Sequence, residues 1–307
     1  MKSSGFFYAR FDFAQAYFNM MSTKTLKIAL QKSGRLQEDS LKILKECGIN
    51  INNGLDTLTA GSTNFPVEAL YLRNNDIVSY MADGVCDATI IGYNTLVEKK
   101  CTNLNYMKLG FSRCRVAIAV PKPMKFNSIQ DLNGLRVATS YPETLQEFFD
   151  ENNIKAEIHY ISGSVEIAPN IGIADAICDI VSSGSTLFRN GLKEVHTLFN
   201  SEACLVSRAD LDGEALKTFE ELSFRLETVL RAKKSKYILL NCPNDSIARI
   251  SSVLPVLKSP TIMPLAEEGW SSLHSVIDAD DFWPVIGKIK KLGGRDILVV
   301  PIEKMVV

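Results

Sequence analysis

From Thr25 onward the chain alternates short apolar runs with stretches whose apolar residues recur every three or four positions. Runs of this kind bounded by Gly, Pro or Ser read as buried strands. They fall at 26–30 (LKIAL), 87–92 (DATIIG), 114–121 (CRVAIAVP), 135–140 (LRVATS) and 175–181 (DAICDIV). Between 36 and 47, Leu41, Leu44 and Cys47 lie three apart, as one helical face requires. A second helix is predicted over 142–152, with Leu145, Phe148 and Phe149 on one side. Strand, loop and helix in repeated order predict parallel sheets with crossover helices.

The last third changes rhythm. A long amphipathic helix is predicted near 213–233, then a strand at 235–243 (SKYILLNCP) and a helix over 244–256. Strands at 260–265 and 271–277 flank a Glu-Glu-Gly turn, and helix 279–291 leads into strand 295–302. This β-α-β-β-α-β order is that of a ferredoxin-like module.

Composition narrows the function classes. The 307 residues predict two or three domains. A 46% hydrophobic share and a formal net charge of −1 describe a globular protein with no global field for nucleic acid or an anionic membrane. Anionic ligands must then be held by local constellations. The 7 cysteines are scattered singly, without a Cys-x-x-Cys pair or a Cys/His cluster, so buried free thiols in a reducing cytosol are expected. His159, His196 and His274 lie far apart and mark no site. No apolar run approaches the roughly 18 residues a membrane helix needs. The first twenty residues hold seven aromatics interrupted by Arg10 and Asp12, which is no signal-peptide pattern. Met20 and Met21 suit a start there, so 1–23 is set apart as an extension.

The stretch with the most chemistry is 166–187, EIAPNIGIADAICDIVSSGSTL. A strand carries Asp175 and Asp179 on the face of Ile177 and delivers the chain to Ser182-Ser183-Gly184-Ser185-Thr186. Small hydroxyl residues around a Gly let successive backbone N–H groups converge on one anion, and a helix starting there adds its positive end. Carboxylates just upstream suit sugar hydroxyls, because each accepts two hydrogen bonds. A Ser/Gly turn after a strand is more often only a turn, and both readings stand on these residues alone.

The same stretch resembles the signature of ATP phosphoribosyltransferases. Glu166, Gly172, Ala174, Ile177, Asp179, Ile180, Ser183, Gly184, Thr186 and Leu187 fall in register with it. LKIALQKSGRL near the start, ATSYP at 138–142, GSVEIAP at 163–169, and SKYILLN and VVPIEKM at the end agree, so the resemblance spans about 24–305. It implies the long form: two α/β lobes like those of periplasmic binding proteins, plus a C-terminal ferredoxin-like regulatory domain. The first lobe would comprise 24–111 and 197–232, the second 112–196, and the regulatory domain 233–307.

What the resemblance implies for chemistry follows residue by residue. Ser182, Ser183, Gly184, Ser185 and Thr186 would hold the 5-phosphate of phosphoribosyl pyrophosphate. Asp179, with Asp175 near it, would bond the ribose hydroxyls, and Glu166 would reach the sugar or orient the loop. Lys32 and Arg35 of QKSGR would meet pyrophosphate or ATP phosphates, and with Asp179 form the catalytic set; solvated loop charge is the bland alternative. Arg73, Asp87, Asn94 and Arg115 would contact ATP. The reaction implied is displacement at the anomeric carbon by N1 of adenine, expelling pyrophosphate, with Mg2+ neutralising the leaving group; the metal's ligands are not assigned.

In the regulatory domain Asn241, Ser259, Thr261 and Met263 would lie near a feedback-inhibiting histidine, in a cytoplasmic homo-oligomer between dimer and hexamer. Nucleic-acid and membrane partners are not expected. Tyr71, Asn74, Asn75, Gly110 and Arg113 depart from the residues usual in long-form relatives. The competing functions are a non-catalytic two-lobed small-molecule binding protein and a catalytically weakened regulatory paralogue.

Overall fold

The computed structural model describes residues 25–52, 57–101, 104–254 and 259–306. The aromatic-rich segment at the start and the end of the helix expected over 244–256 lie outside them. The chain forms two compact units that divide at Glu221.

In the first unit the chain builds one lobe, leaves it for a second, and returns. The first lobe opens with β1 (Leu26–Gln31), α1 (Arg35–Glu46), β2 (Thr59–Gly61) and β3 (Val67–Leu72). α2 (Asn74–Ala82), β4 (Ala88–Gly92), α3 (Tyr93–Glu98) and β5 (Tyr106–Lys108) follow. The second lobe holds β6 (Cys114–Pro121), β7 (Arg136–Thr139), α4 (Pro142–Glu151), β8 (Glu157–Tyr160), β9 (Ala176–Val181), α5 (Ser185–Arg189) and β10 (Leu192–Ser201). β11 (Ala203–Ser207) re-enters the first sheet, and α6 (Gly213–Lys234) carries the chain into the second unit.

The first sheet runs β2-β3-β1-β4-β11-β5 and the second β10-β6-β9-β7-β8. β1 is parallel to β3 and β4, and β7 is parallel to β8 and β9, as the crossover pattern predicts. The sheets are nonetheless mixed. β11 lies antiparallel to β4 and β5, and β6 antiparallel to β9 and β10, because the crossings between lobes bring the chain back reversed.

The expected lobe boundary at 197 falls inside a strand: β10 pairs with β6 as far as Ser201 opposite Cys114. A ten-residue strand, antiparallel to β6 with two register shifts, holds the chain in the second lobe until Ala203 joins Gly92 of β4. Each lobe has its own core. Ala29, Ile77, Met81, Ile91, Leu96 and Val206 pack in the first, and Val116, Ile118, Val137, Leu145, Phe149 and Cys178 in the second. Parallel strands point their C-terminal ends the same way, so the loops after β1, β4, β7 and β9 gather where ligands of open α/β sheets bind.

The second unit contains β12 (Ser235–Pro243), α7 (Ile247–Val253), β13 (Thr261–Pro264), β14 (Trp270–Asp278), α8 (Phe282–Lys291) and β15 (Arg295–Pro301). Its sheet order β13-β14-β12-β15, antiparallel throughout, is the ferredoxin-like arrangement the element order predicted. Ile238, Leu240, Cys242, Leu273 and Ile277 form the buried face with Ile250 and Ile289 of the helices. The unit begins at Glu221, within α6 and ahead of the expected start at 233.

Candidate active site

Two adjoining cavities of about 290 and 550 Å³ open between the lobes of the first unit. Asn74, Thr95 and Tyr141 border both. Arg35, Asn94, Cys114, Ile180 and Ser182 line the smaller one, and Asn75, Ser140 and Tyr160 the larger.

The loop after β9 leads into helix α5. Gly184 takes φ 76° and ψ 1° as the N-cap of α5, a left-handed geometry that glycine adopts without penalty. Ser182, Ser183, Ser185 and Thr186 line this turn, and the Ser183 and Ser185 hydroxyls lie 3.0 Å apart. Two arginines reach this loop, one from each lobe. Arg35, the first residue of α1, donates from Nη1 to Ser182 Oγ across the cleft at 3.5 Å. Arg115 donates to the Ser182 carbonyl at 3.3 Å, while its Nε and Nη2 grip Glu194. That guanidinium holds Glu194 below the usual carboxylate range and braces the loop within the second lobe. Lys32 is exposed on the β1–α1 loop, and Arg73 stands at the N-cap of α2.

Asp179 sits half-buried near the end of β9. Burial pushes its carboxyl up to about 6, opposed by a hydrogen bond from the Ile180 N–H and reinforced by the nearby negative charge of Glu166. No ion pair offsets that charge among the described residues. Two nearby acids with no paired cation among the described residues are costly to keep ionised, and polar hydrogens of a ligand relieve such a cost.

Asp175 and Asp87 lie elsewhere. Asp175 precedes β9, about 13 Å from Asp179 at ~3.3 Å per strand residue. Its oxygens accept the Arg136 backbone N–H at 2.9 Å and two guanidinium contacts at 3.1 and 2.8 Å. Asp87 occupies the equivalent place in the first lobe, accepting the Lys27 N–H at 2.9 Å and pairing with Arg208 at 3.4 Å. Each aspartate ties the entry of one strand to its neighbour, at the sheet edge away from the cleft. Sharing a face with Asp179 did not put Asp175 at the same end.

Asn94 is in the cleft, but its polar groups are committed. Its backbone N–H donates to the Ser201 hydroxyl at 2.9 Å, that hydroxyl donates to Asn94 Oδ1 at 2.8 Å, and Asn94 Nδ2 donates to the Tyr141 phenol at 3.0 Å. Tyr141, at the N-cap of α4, was visible in sequence only as part of ATSYP; burial raises its phenol well above the ordinary range. The departures Asn74, Asn75 and Arg113 border the cavities, whereas Tyr71 is buried in β3 and Gly110 takes φ 73° near the crossing.

The sequence comparisons cover both units. The family model for ATP phosphoribosyltransferase matches residues 73–228, and the model for the HisG C-terminal domain matches 232–304. An ATP phosphoribosyltransferase from Cytophaga hutchinsonii is 54% identical over 286 residues, 93% of this chain and 100% of that protein. The chain belongs to the ATP phosphoribosyltransferase family. As an ATP phosphoribosyltransferase it is a phosphoribosyl-transferring enzyme of the first step of histidine biosynthesis. The relative from Bacteroides thetaiotaomicron is 49% identical over 282 residues, 92% of this chain and 100% of that protein. Among solved structures, a chain of the ATP phosphoribosyl transferase (HisG:HisZ) complex from Thermotoga maritima superposes with TM-score 0.56 at 26% identity. It covers 66% of this chain and 99% of that one.

In the second unit, Asn241, Thr261 and Met263 share the sheet face turned away from the helices, through the pairs Asn241–Ser272, Met263–Ser272 and Thr261–His274. Asn241 donates to Asp296 at 3.1 Å. Sequence reasoning missed the centre of this face: the Tyr237 hydroxyl lies 2.8 Å from His274 Nδ1, and His274 Nε2 lies 3.1 Å from Ser272 Oγ. Ser259 is exposed just before β13.

Proposed function

We propose that the Ser182–Thr186 turn binds the 5-phosphate of phosphoribosyl pyrophosphate and that Asp179, with Glu166, holds the ribose diol. One observation carries this reading: four hydroxyl residues surround left-handed Gly184, starting three residues beyond a half-buried aspartate that has no ion pair among the described residues. Arg35 and Lys32 would take the pyrophosphate, since Arg35 already reaches this loop from the other lobe. Arg73, Asn74 and Asn75 would border the ATP polyphosphate. Asp175 and Asp87 have no part in it.

Adenine N1 attacks the anomeric carbon with its lone pair as the bond to pyrophosphate breaks, the electrons leaving on pyrophosphate. The positive charge gained by the adenine is discharged by loss of one exocyclic amino proton. Charge separation dominates the barrier, so positioned cations and carboxylates contribute most. No cluster of three or more His, Cys, Asp or Glu suited to a metal occurs among the described residues. Mg2+ commonly binds through one or two carboxylates plus substrate phosphates, a role Glu166 and Asp179 fit. It would neutralise charge on the pyrophosphate.

The sheet face bearing Asn241, Thr261, Met263, Tyr237 and His274 would serve the inhibitory histidine. Edge strands β13 and β15 expose Ile262 (47%), Leu298 (58%) and Val300 (48%), which supports a homo-oligomer, up to a hexamer. No described helix is long and apolar enough to cross a membrane. A structure soaked with phosphoribosyl pyrophosphate tests the reading: the terminal phosphate should sit on the Ser183–Thr186 amides, and a phosphate lodged elsewhere overturns it.

A further inference from the structure

Helix α4 lacks a cap of its own. Its N-cap is Tyr141, whose phenol cannot fold back onto the first-turn amides, and Pro142 follows at N1. The N–H groups of Glu143 and Thr144 would therefore go unsatisfied. Glu98 fills both from the other lobe. Its Oε1 accepts the Glu143 N–H at 3.1 Å and its Oε2 accepts the Thr144 N–H at 2.9 Å, 45 and 46 residues away in sequence. Glu98 is the last residue of α3, where its charge opposes the negative end of its own helix. That charge is compensated at the positive end of α4. The same two helices are joined a second time by Asn94 and Tyr141, at 3.0 Å. Tyr141 in turn borders both cavities of the cleft.

We infer that Glu98 is a positioning residue for phosphoribosyl transfer, a cap supplied from one lobe that fixes Tyr141 and the second-lobe half of the site against the first. The inference rests on the proposed reading of the cleft. The two reactants must be aligned across the lobes, and a displacement of about 1 Å costs up to ~100-fold in rate. The Ser182–Thr186 loop belongs to the second lobe alone, so sugar-phosphate affinity should survive the loss of Glu98 while turnover should not.

The test compares wild type, Glu98→Ala and Glu98→Gln in the full chain by hydrogen exchange, ribose 5-phosphate binding and steady-state kinetics. Glu98→Ala should speed exchange at the Glu143 and Thr144 amides. It should also lower kcat roughly 10- to 100-fold and leave the dissociation constant of ribose 5-phosphate, which lacks the pyrophosphate assigned to Arg35 and Lys32, within about 2-fold. Glu98→Gln, which keeps one acceptor oxygen, should recover part of kcat. Unchanged exchange overturns the inference, because the cap would then not form in solution. Faster exchange with wild-type kcat also overturns it, because the cap would then be structural only. A wild-type enzyme that made no phosphoribosyl-ATP would count against the assigned reaction, and the exchange arm would still decide on Glu98.

Discussion

Arg35 Nη1 lies 3.5 Å from Ser182 Oγ, so a cation rooted at the start of α1 in one lobe reaches the Ser182–Thr186 loop of the other. Under the proposed assignment, charge for the leaving pyrophosphate and amides for the sugar phosphate would come from different lobes.

Replacing Arg35 with Ala should therefore lower kcat/KM roughly 100- to 1,000-fold, the usual cost of deleting one group that stabilises developing charge. Because Arg35 is exposed, the melting temperature should stay within about 2 °C, and calorimetry alongside initial rates checks both.

Asp179 gives a prediction with a definite pH sign. Its carboxyl is raised from 3.8 to about 6 in the folded state, so its favourable contribution is complete below pH ~4 and is lost as pH rises through 6. Asp179→Asn should abolish turnover yet stabilise the free protein by about 2–3 kcal/mol at pH 7, since each tenfold change in proton affinity is worth about 1.4 kcal/mol. The gain should vanish near pH 4; urea melts at both values measure it. In the wild type, kcat/KM should fall as pH drops below about 6.

Asp175→Ala should behave in the opposite way. It strips Arg136 of its carboxylate partner at the far edge of the sheet, lowering the melting temperature by a few degrees. Turnover should remain within about 2-fold, since the residue lies about 13 Å from Asp179. A loss of activity matching that of Asp179→Asn would return Asp175 to the site.

Gly184→Ala places a β-carbon at φ 76°, costing about 1–2 kcal/mol of backbone strain. Weaker binding of phosphoribosyl pyrophosphate, read by titration calorimetry, should accompany the drop in stability. ATP affinity measured alone should hold.

For the second unit, Tyr237→Phe removes the hydroxyl that meets His274 Nδ1. If histidine is sensed on that face, the inhibitory concentration should rise about 5-fold, the worth of roughly one hydrogen bond. Inhibition identical to wild type would place the effector elsewhere.

Much of this protein is local in origin, and the sequence by itself determined that part. Strand 114–121, strand 235–243 and the ferredoxin-like order follow from apolar periodicity, and the turn after β9 follows from Ser183-Gly184-Ser185-Thr186, whose hydrogen bonds span two residues. Each is fixed by neighbours along the chain, so its pattern survives in one dimension. The tertiary structure alone decided which acids share a site. Asp175 and Asp179 match by face and spacing, yet opposite ends of one strand separate them, and burial without a counter-charge marks only the second. It also decided the mixed sheets, the return of the chain at Ala203, and the contacts of Asn94 with Tyr141 and of Glu98 with α4, which join residues 45 to 47 positions apart. Such contacts arise when two separately packed lobes close on one another, and no local pattern of side chains encodes where that closure falls.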